Sequence, residues 1–234
     1  MLIGDASGCF NLFLREPTVR QGGIDRSGMY TPTQEEAHWL PRWASLLLSP
    51  PVVAVLTGVF FAFPSEDTPD PGSWFGFAVF CVATAILPTA YVVRLRQRGR
   101  ISGVFVPEGR ERTRPLLVTA SSCLAGCAIL ALAPTGRGIV ILQLWYGLFG
   151  LLAAAIAGRR HMSLHAAGSW GPIVCLGYCC GAYAWVLVPV ALLVTWARYT
   201  LGVHSVAQLV AGALVGATSA LATFAIADLL IQLF

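Results

Sequence analysis

An all-α fold, a polytopic bundle of transmembrane helices, is predicted by three features of the sequence. Apolar residues fill 56% of its 234 positions and charged residues only 11%, against about 25% charged in soluble domains. The mean hydropathy is +0.72. Beyond residue 116 the only charged side chains are Arg137, Arg159, Arg160, Arg198 and Asp228. The apolar runs between them approach the ~20 residues that span a bilayer core. The net charge is only +4, and the arginines that carry it cluster at expected interfaces, which disfavours a nucleic-acid partner.

Residues 1–42 are polar and punctuated by Gly and Pro, so they read as a tail preceding a membrane domain over 43–234. Within the tail, Thr33-Gln34-Glu35-Glu36 has the form of a capping box. It predicts a short amphipathic helix whose Trp39 and Trp43 anchor it at headgroup depth. No basic-then-apolar leader pattern opens the chain, so no cleavage is expected.

Apolar runs then predict spans at 43–63, 73–93, 116–133 and 139–157. The acidic, turn-rich stretch 65–72 separates the first two, and Pro134–Gly138 separates the last two. Arg159, Arg160 and His161 mark the next interface. From 164 to 197 the apolar sequence divides at Gly177–Gly181 into two short spans, and a last span covers 204–231. Seven spans are expected, six if one short segment is re-entrant. Six of the seven cysteines fall inside these spans without the paired spacing of a zinc site, so they are expected to pack as small hydrophobes. Gly212 and Gly216 form a G-x-x-x-G pair, expected to serve helix packing within the protomer.

Orientation follows from arginine. The loop 94–114 carries seven arginines against two acids, whereas 65–72 carries three acids and no base. The positive-inside rule places 94–114 in the cytoplasm. Two spans separate that loop from Ser163 and His165, and two more lead to Arg198 and His204. Parity therefore puts all three polar clusters on one membrane face.

Ionisable groups near hydrocarbon are costly and mark functional sites by default. His165 is expected at a helix N-terminus, with Ser163 in the preceding turn, where backbone N–H groups and the helix dipole favour an anion. His204 and Gln208 are four apart and share one helical face. An amide oxygen at Gln208 accepting from Nδ1–H would turn Nε2 of His204 to a substrate. Arg198, in the turn before that helix, offers a planar fork for phosphate oxygens. Histidines and arginines gathered at a membrane face suit chemistry on phosphate.

The pattern Arg198-x5-His204-x3-Gln208, preceded by Ser163-x-His165, resembles that of the type 2 phosphatidic acid phosphatase and vanadium haloperoxidase superfamily. Arg114-Pro115 matches the close of that superfamily's first element, and the stretch 99–115 is similar to its bacterial membrane members. The resemblance implies a six-helix lipid-phosphatase core with one extra N-terminal element, in a bacterial inner membrane. It implies His204 as nucleophile, His165 as general acid, and Arg114, Arg198 and Ser163 on the phosphate oxygens. Three positions depart from the pattern. Pro107 stands where the family has Lys, so Arg110 or Arg112 would supply that charge. Met162-Ser163-Leu164-His165 replaces Pro-Ser-Gly-His, and Gln208 replaces Asp. Such an amide orients a histidine without stabilising its positive charge; in the serine-protease triad the equivalent change lowers turnover about 10⁴-fold through the wrong tautomer.

The function so implied is metal- and cofactor-free hydrolysis of a lipid or isoprenoid phosphate or diphosphate through a phosphohistidine, at a cytoplasm-facing site. Two alternatives use the same fold: isoprenoid transfer or cyclisation driven by diphosphate departure, and a catalytically inactive protein that binds lipid. Haloperoxidase chemistry fits least, since an oxidant in water needs no spans.

Overall fold

Proline and glycine decide where the helices of this bundle begin, bend and close together. The computed structural model describes residues 23–24, 30–31, 34–63, 70–101, 112–157 and 162–233. The Thr33 cap, the Glu36 side chain, most of the acidic stretch 65–72, Pro107, Arg110 and the interface cluster Arg159–His161 lie outside the described residues. Apart from a two-residue antiparallel ladder between Gly23–Ile24 and Tyr30–Thr31, the described elements are helices.

Helix α1 (Gln34–Leu47) and helix α2 (Pro50–Ala62) meet at a 48° bend. Ser49 is extended there, at φ −63° and ψ 155°. Pro50 and Pro51 explain the break: a residue before proline is driven out of the helical region, whereas proline itself suits the first helical turn. The single span expected over 43–63 is thus two helices. Trp39 and Trp43 are exposed on α1.

Helix α3 (Pro71–Gln97) is 27 residues long. Asp70 caps it, accepting a 2.6 Å hydrogen bond from the Ser73 backbone N–H. That bond, with the Ser73 hydroxyl, holds the Asp70 carboxyl below its ordinary pKa. Midway, Val82–Ile86 widens into a π turn, where the Leu87 N–H reaches the Val82 carbonyl. Pro88 supplies the cause, since it has no N–H and its ring crowds the carbonyl of the preceding turn. In that register the Ala83 carbonyl would wait for the N–H that Pro88 lacks. Ser122 satisfies it instead, donating from Oγ at 2.7 Å across the helix interface. Beside it, Thr84 Oγ1 donates to Gln143 Oε1 (3.1 Å) and Gln143 Nε2 donates to the Cys123 carbonyl (3.1 Å). Non-regular backbone at membrane depth survives only where protein partners satisfy it. Ser122→Ala is therefore expected to lower stability by on the order of 1 kcal/mol, measured by thermal unfolding in detergent, with no change in helix content.

Helices α4 (Thr113–Ala131) and α5 (Arg137–Ala157) form a hairpin. Helix α6 (Leu164–Cys180) ends at Gly181, whose φ of 56° stops the helix, and a 3₁₀ stretch Gly181–Leu187 leads into helix α7 (Val188–Thr200). Helix α8 (Val206–Leu233) closes the bundle. Among the described residues, four helices (α3, α4, α5 and α8) are long and apolar enough to cross a membrane, five if the bent α1–α2 pair counts as one span. The 17 residues of α6 and the 13 of α7 are shorter than that criterion. The chain is thus an all-helical protein with the features of an integral membrane protein.

Helices α6 and α8 pack closely, and their contact is built on small residues. A Cβ on Gly212 would run into the Ser163 carbonyl oxygen, and one on Gly216 into the Ala167 carbonyl oxygen. The G-x-x-x-G pair therefore serves contact within the protomer. From the third side, Trp145 of α5 is fully buried and donates from Nε1 to Ser219 Oγ on α8 (3.1 Å). Its ring abuts Gly171 of α6, where a Cβ would collide with it. The far end of the pair is tied by Tyr178, which donates to Asp228 Oδ2 at 2.8 Å. Cys123 and Cys175 are buried free thiols within this packing.

Candidate functional site

The close approach of α6 and α8 brings their N-terminal turns together, and that is where the sequence-selected residues lie. The Ser163 backbone N–H donates to the Gln208 carbonyl at 3.1 Å, fastening one turn to the other. Ser163 is the N-cap of α6: its Oγ accepts from the Ala166 N–H at 3.3 Å. It is fully buried, so its oxygen has a structural task irrespective of any ligand.

Two residues on, His165 occupies the first turn of α6. It lies within electrostatic reach of Arg198, His204 and Arg112. Four basic groups from four elements thus gather at one end of the bundle. Arg198 and His204 are buried, 3% and 4% exposed.

How Arg198 and His204 are aimed is visible in the turn between α7 and α8. The Gly202 N–H bonds the Tyr199 carbonyl (2.9 Å) and the Val203 N–H bonds the Arg198 carbonyl (3.3 Å). With Gly202 at φ 65°, this is a Schellman ending, which needs a residue that tolerates the left-handed region. Arg198 therefore sits in the last turn of α7, where the helix dipole favours a cation. Its Nη1 donates to Ser45 Oγ of α1 at 3.2 Å. Ser45 is itself buried, so the N-terminal helix forms a wall of the site. Sequence reasoning missed Ser45, because it fell within the span expected over 43–63 with nothing local to mark it.

Gln208 does two things. Its Oε1 lies 3.3 Å from His204 Nδ1 and accepts from the Ser205 N–H at 3.1 Å. In return the Gln208 N–H donates to Ser205 Oγ at 3.4 Å. Ser205-x-x-Gln208 is a capping box at the start of α8, a pattern present in the sequence that the histidine pairing obscured. When Oε1 accepts from Nδ1–H, the imidazole lone pair is carried by Nε2.

The arginines at the start of α4 separate. Arg112 is part-buried at the N-cap of α4 and acts electrostatically on His165. Arg114 is exposed. Two residues along a helix is a rotation of about 200°, so Arg114 shares the face of Leu117, Val118 and Ser121 instead. Arg110 lies outside the described residues. Among the described residues, no three His, Cys, Asp or Glu side chains gather in a metal-holding group.

No family model, no curated protein and no solved structure matches the chain. The functional reading therefore stands on the site itself.

Proposed function

We propose that this protein is a membrane phosphohydrolase acting on a lipid or isoprenoid phosphate or diphosphate, with a six-helix core formed by α3 to α8 and α1–α2 as the extra N-terminal element. The observation that carries the reading is the meeting of two histidines and two arginines at adjoining helix ends, with Arg198 and His204 enclosed. Cationic forks beside a helix N-terminus suit a phosphate, and the resemblance of the Arg198, His204 and Gln208 spacing to the type 2 phosphatidic acid phosphatases supports the same chemistry.

In this reading His204 Nε2 attacks phosphorus while the bond to the leaving oxygen breaks. His165, protonated once the anionic phosphate lies among the cationic groups, gives its proton to that oxygen. The neutral His165 then takes a proton from water, whose oxygen attacks the phosphohistidine, releasing inorganic phosphate and restoring both rings. Arg198 and Arg112 stabilise charge on the transferring group. Gln208 fixes the tautomer of His204, and Ser163 caps the helix that presents His165. Arg114 has no task in the step. The arginine-rich 94–114 loop supports a cytoplasm-facing site in a bacterial inner membrane, hence substrates carried in the inner leaflet.

Purified protein supplied with lipid and isoprenoid phosphates tests the reading through release of inorganic phosphate. Turnover is expected to persist in EDTA and to be inhibited by vanadate, which adopts the trigonal-bipyramidal geometry of phosphorus in transfer. Activity lost in EDTA and restored by magnesium would remove the histidine mechanism.

A second expected outcome concerns Gln208. Gln208→Glu keeps the chain length that spans both Ser205 N–H and His204 Nδ1, and adds a negative charge. Turnover should equal the parent's or exceed it by up to about tenfold, as charge-assisted hydrogen bonds are roughly twice as strong as neutral ones. The capping box gives one alternative a specific footing, since Gln208 is explained by helix capping alone. An inactive lipid-binding protein would show no phosphate release in the parent or in Gln208→Glu.

A further inference from the structure

We propose that a groove between α3 and α4, apart from the histidine site, binds one anionic phospholipid. The groove is open along one side and has a volume of about 620 Å³, within the usual range of small-ligand sites. Its walls are two helix faces. Leu87, Ala90, Tyr91 and Arg94 follow one another at helical spacing on α3, and Leu117, Val118 and Ser121 do so on α4. The apolar part lies deep and the charge lies at one end. Arg94 is seven residues from Leu87, about 10 Å along the axis, and only three from the end of α3 at Gln97. The groove thus runs from headgroup depth into hydrocarbon, the shape of one acyl chain below its phosphate.

Charge complementarity selects the occupant. Arg94 lines the mouth, and the exposed Arg114 stands one turn above Leu117 and Val118 on the same face of α4. Arg98 follows as the cap residue just past the end of α3. Neither Pro71–Gln97 nor Thr113–Ala131 contains an acidic residue, so no fixed negative charge on either helix competes for these guanidiniums. The Tyr91 and Ser121 hydroxyls add hydrogen-bonding capacity to the lining. A phosphodiester with a net negative charge fits this mouth, and a zwitterionic headgroup would bring its ammonium against arginine. The site owes nothing to the phosphatase reading, because neither Arg94 nor Ala90 takes part in the proposed chemistry.

Native mass spectrometry of the detergent-purified protein, titrated with phosphatidylglycerol or phosphatidylcholine, tests the assignment. One phosphatidylglycerol is expected to stay bound in preference to phosphatidylcholine. Arg94→Gln should weaken it about fivefold, the effect of one basic residue on an anionic lipid, leaving phosphatidylcholine unchanged. Ala90→Trp fills the groove without altering charge and should expel the bound lipid. Both variants are first checked for parental unfolding temperature; either alone suffices if the other fails to fold. Equal retention of the two lipids, or parental phosphatidylglycerol binding in a folded variant, would overturn the proposal. So would a parental dimer that Ala90→Trp splits without loss of lipid, since the groove would then belong to a second copy of the chain.

Discussion

His204→Ala is expected to reduce turnover of a lipid phosphate by at least about 10⁴-fold while leaving the unfolding temperature near the parent's. Removing a nucleophile that works in concert with its partners costs on the order of 10⁶-fold in a well-studied hydrolase, and His165, the other imidazole at the site, is engaged with the leaving oxygen. The imidazole is enclosed, but its named hydrogen bond is to Gln208, whose capping bonds with Ser205 survive the change. Stability and activity should therefore separate. His165→Ala should behave differently, harming substrates with poor leaving groups most and an aryl phosphate least, since a stable phenolate leaves without a proton. A folded His204→Ala protein with parental turnover would show that the nucleophile lies elsewhere.

The second large effect is structural. Gly216→Leu should destabilise the bundle by several kcal/mol or prevent its folding, beyond the ~1–3 kcal/mol usual for overpacking. A Cβ there already meets the Ala167 backbone, with its Cα at 2.8 Å, and backbone cannot turn aside as a side chain does. Where any variant protein folds, α6 and α8 must part, and the Ser163–Gln208 bond that joins the two histidine-bearing turns should fail with them. Gly216→Ala is the graded control. Thermal unfolding and phosphate release measured together should fall in step, unlike for His204→Ala. Parental stability in Gly216→Leu would mean that the two helices are not in close contact.

The sequence made the long apolar helices legible, because α4, α5 and α8 have the length and composition to cross a bilayer. The break near residue 181 was equally legible from its glycines. The division of the first span was missed, although Ser49-Pro50-Pro51 is a readable stop. Ser45 was out of reach, since nothing local says that a serine in an amphipathic helix will meet an arginine 153 residues later. The π turn has a local cause in Pro88, but its partner Ser122 is supplied by tertiary packing. At the site, motif spacing selected His165, Arg198, His204 and Gln208, which the fold gathers at one end. Motif matching also proposed Arg114. Helical phase separates it from Arg112, because two residues turn a side chain to the opposite flank, and Arg112 is the one that acts electrostatically on His165.

The most direct test of the central claim is rapid quenching of the protein during turnover of a lipid phosphate labelled on phosphorus, followed by peptide mapping. Acid-labile, alkali-stable label is expected on the peptide containing His204, formed and lost at rates compatible with turnover and absent in His204→Ala. Phosphate release without label at His204 under single-turnover conditions, or label on another residue, would contradict it.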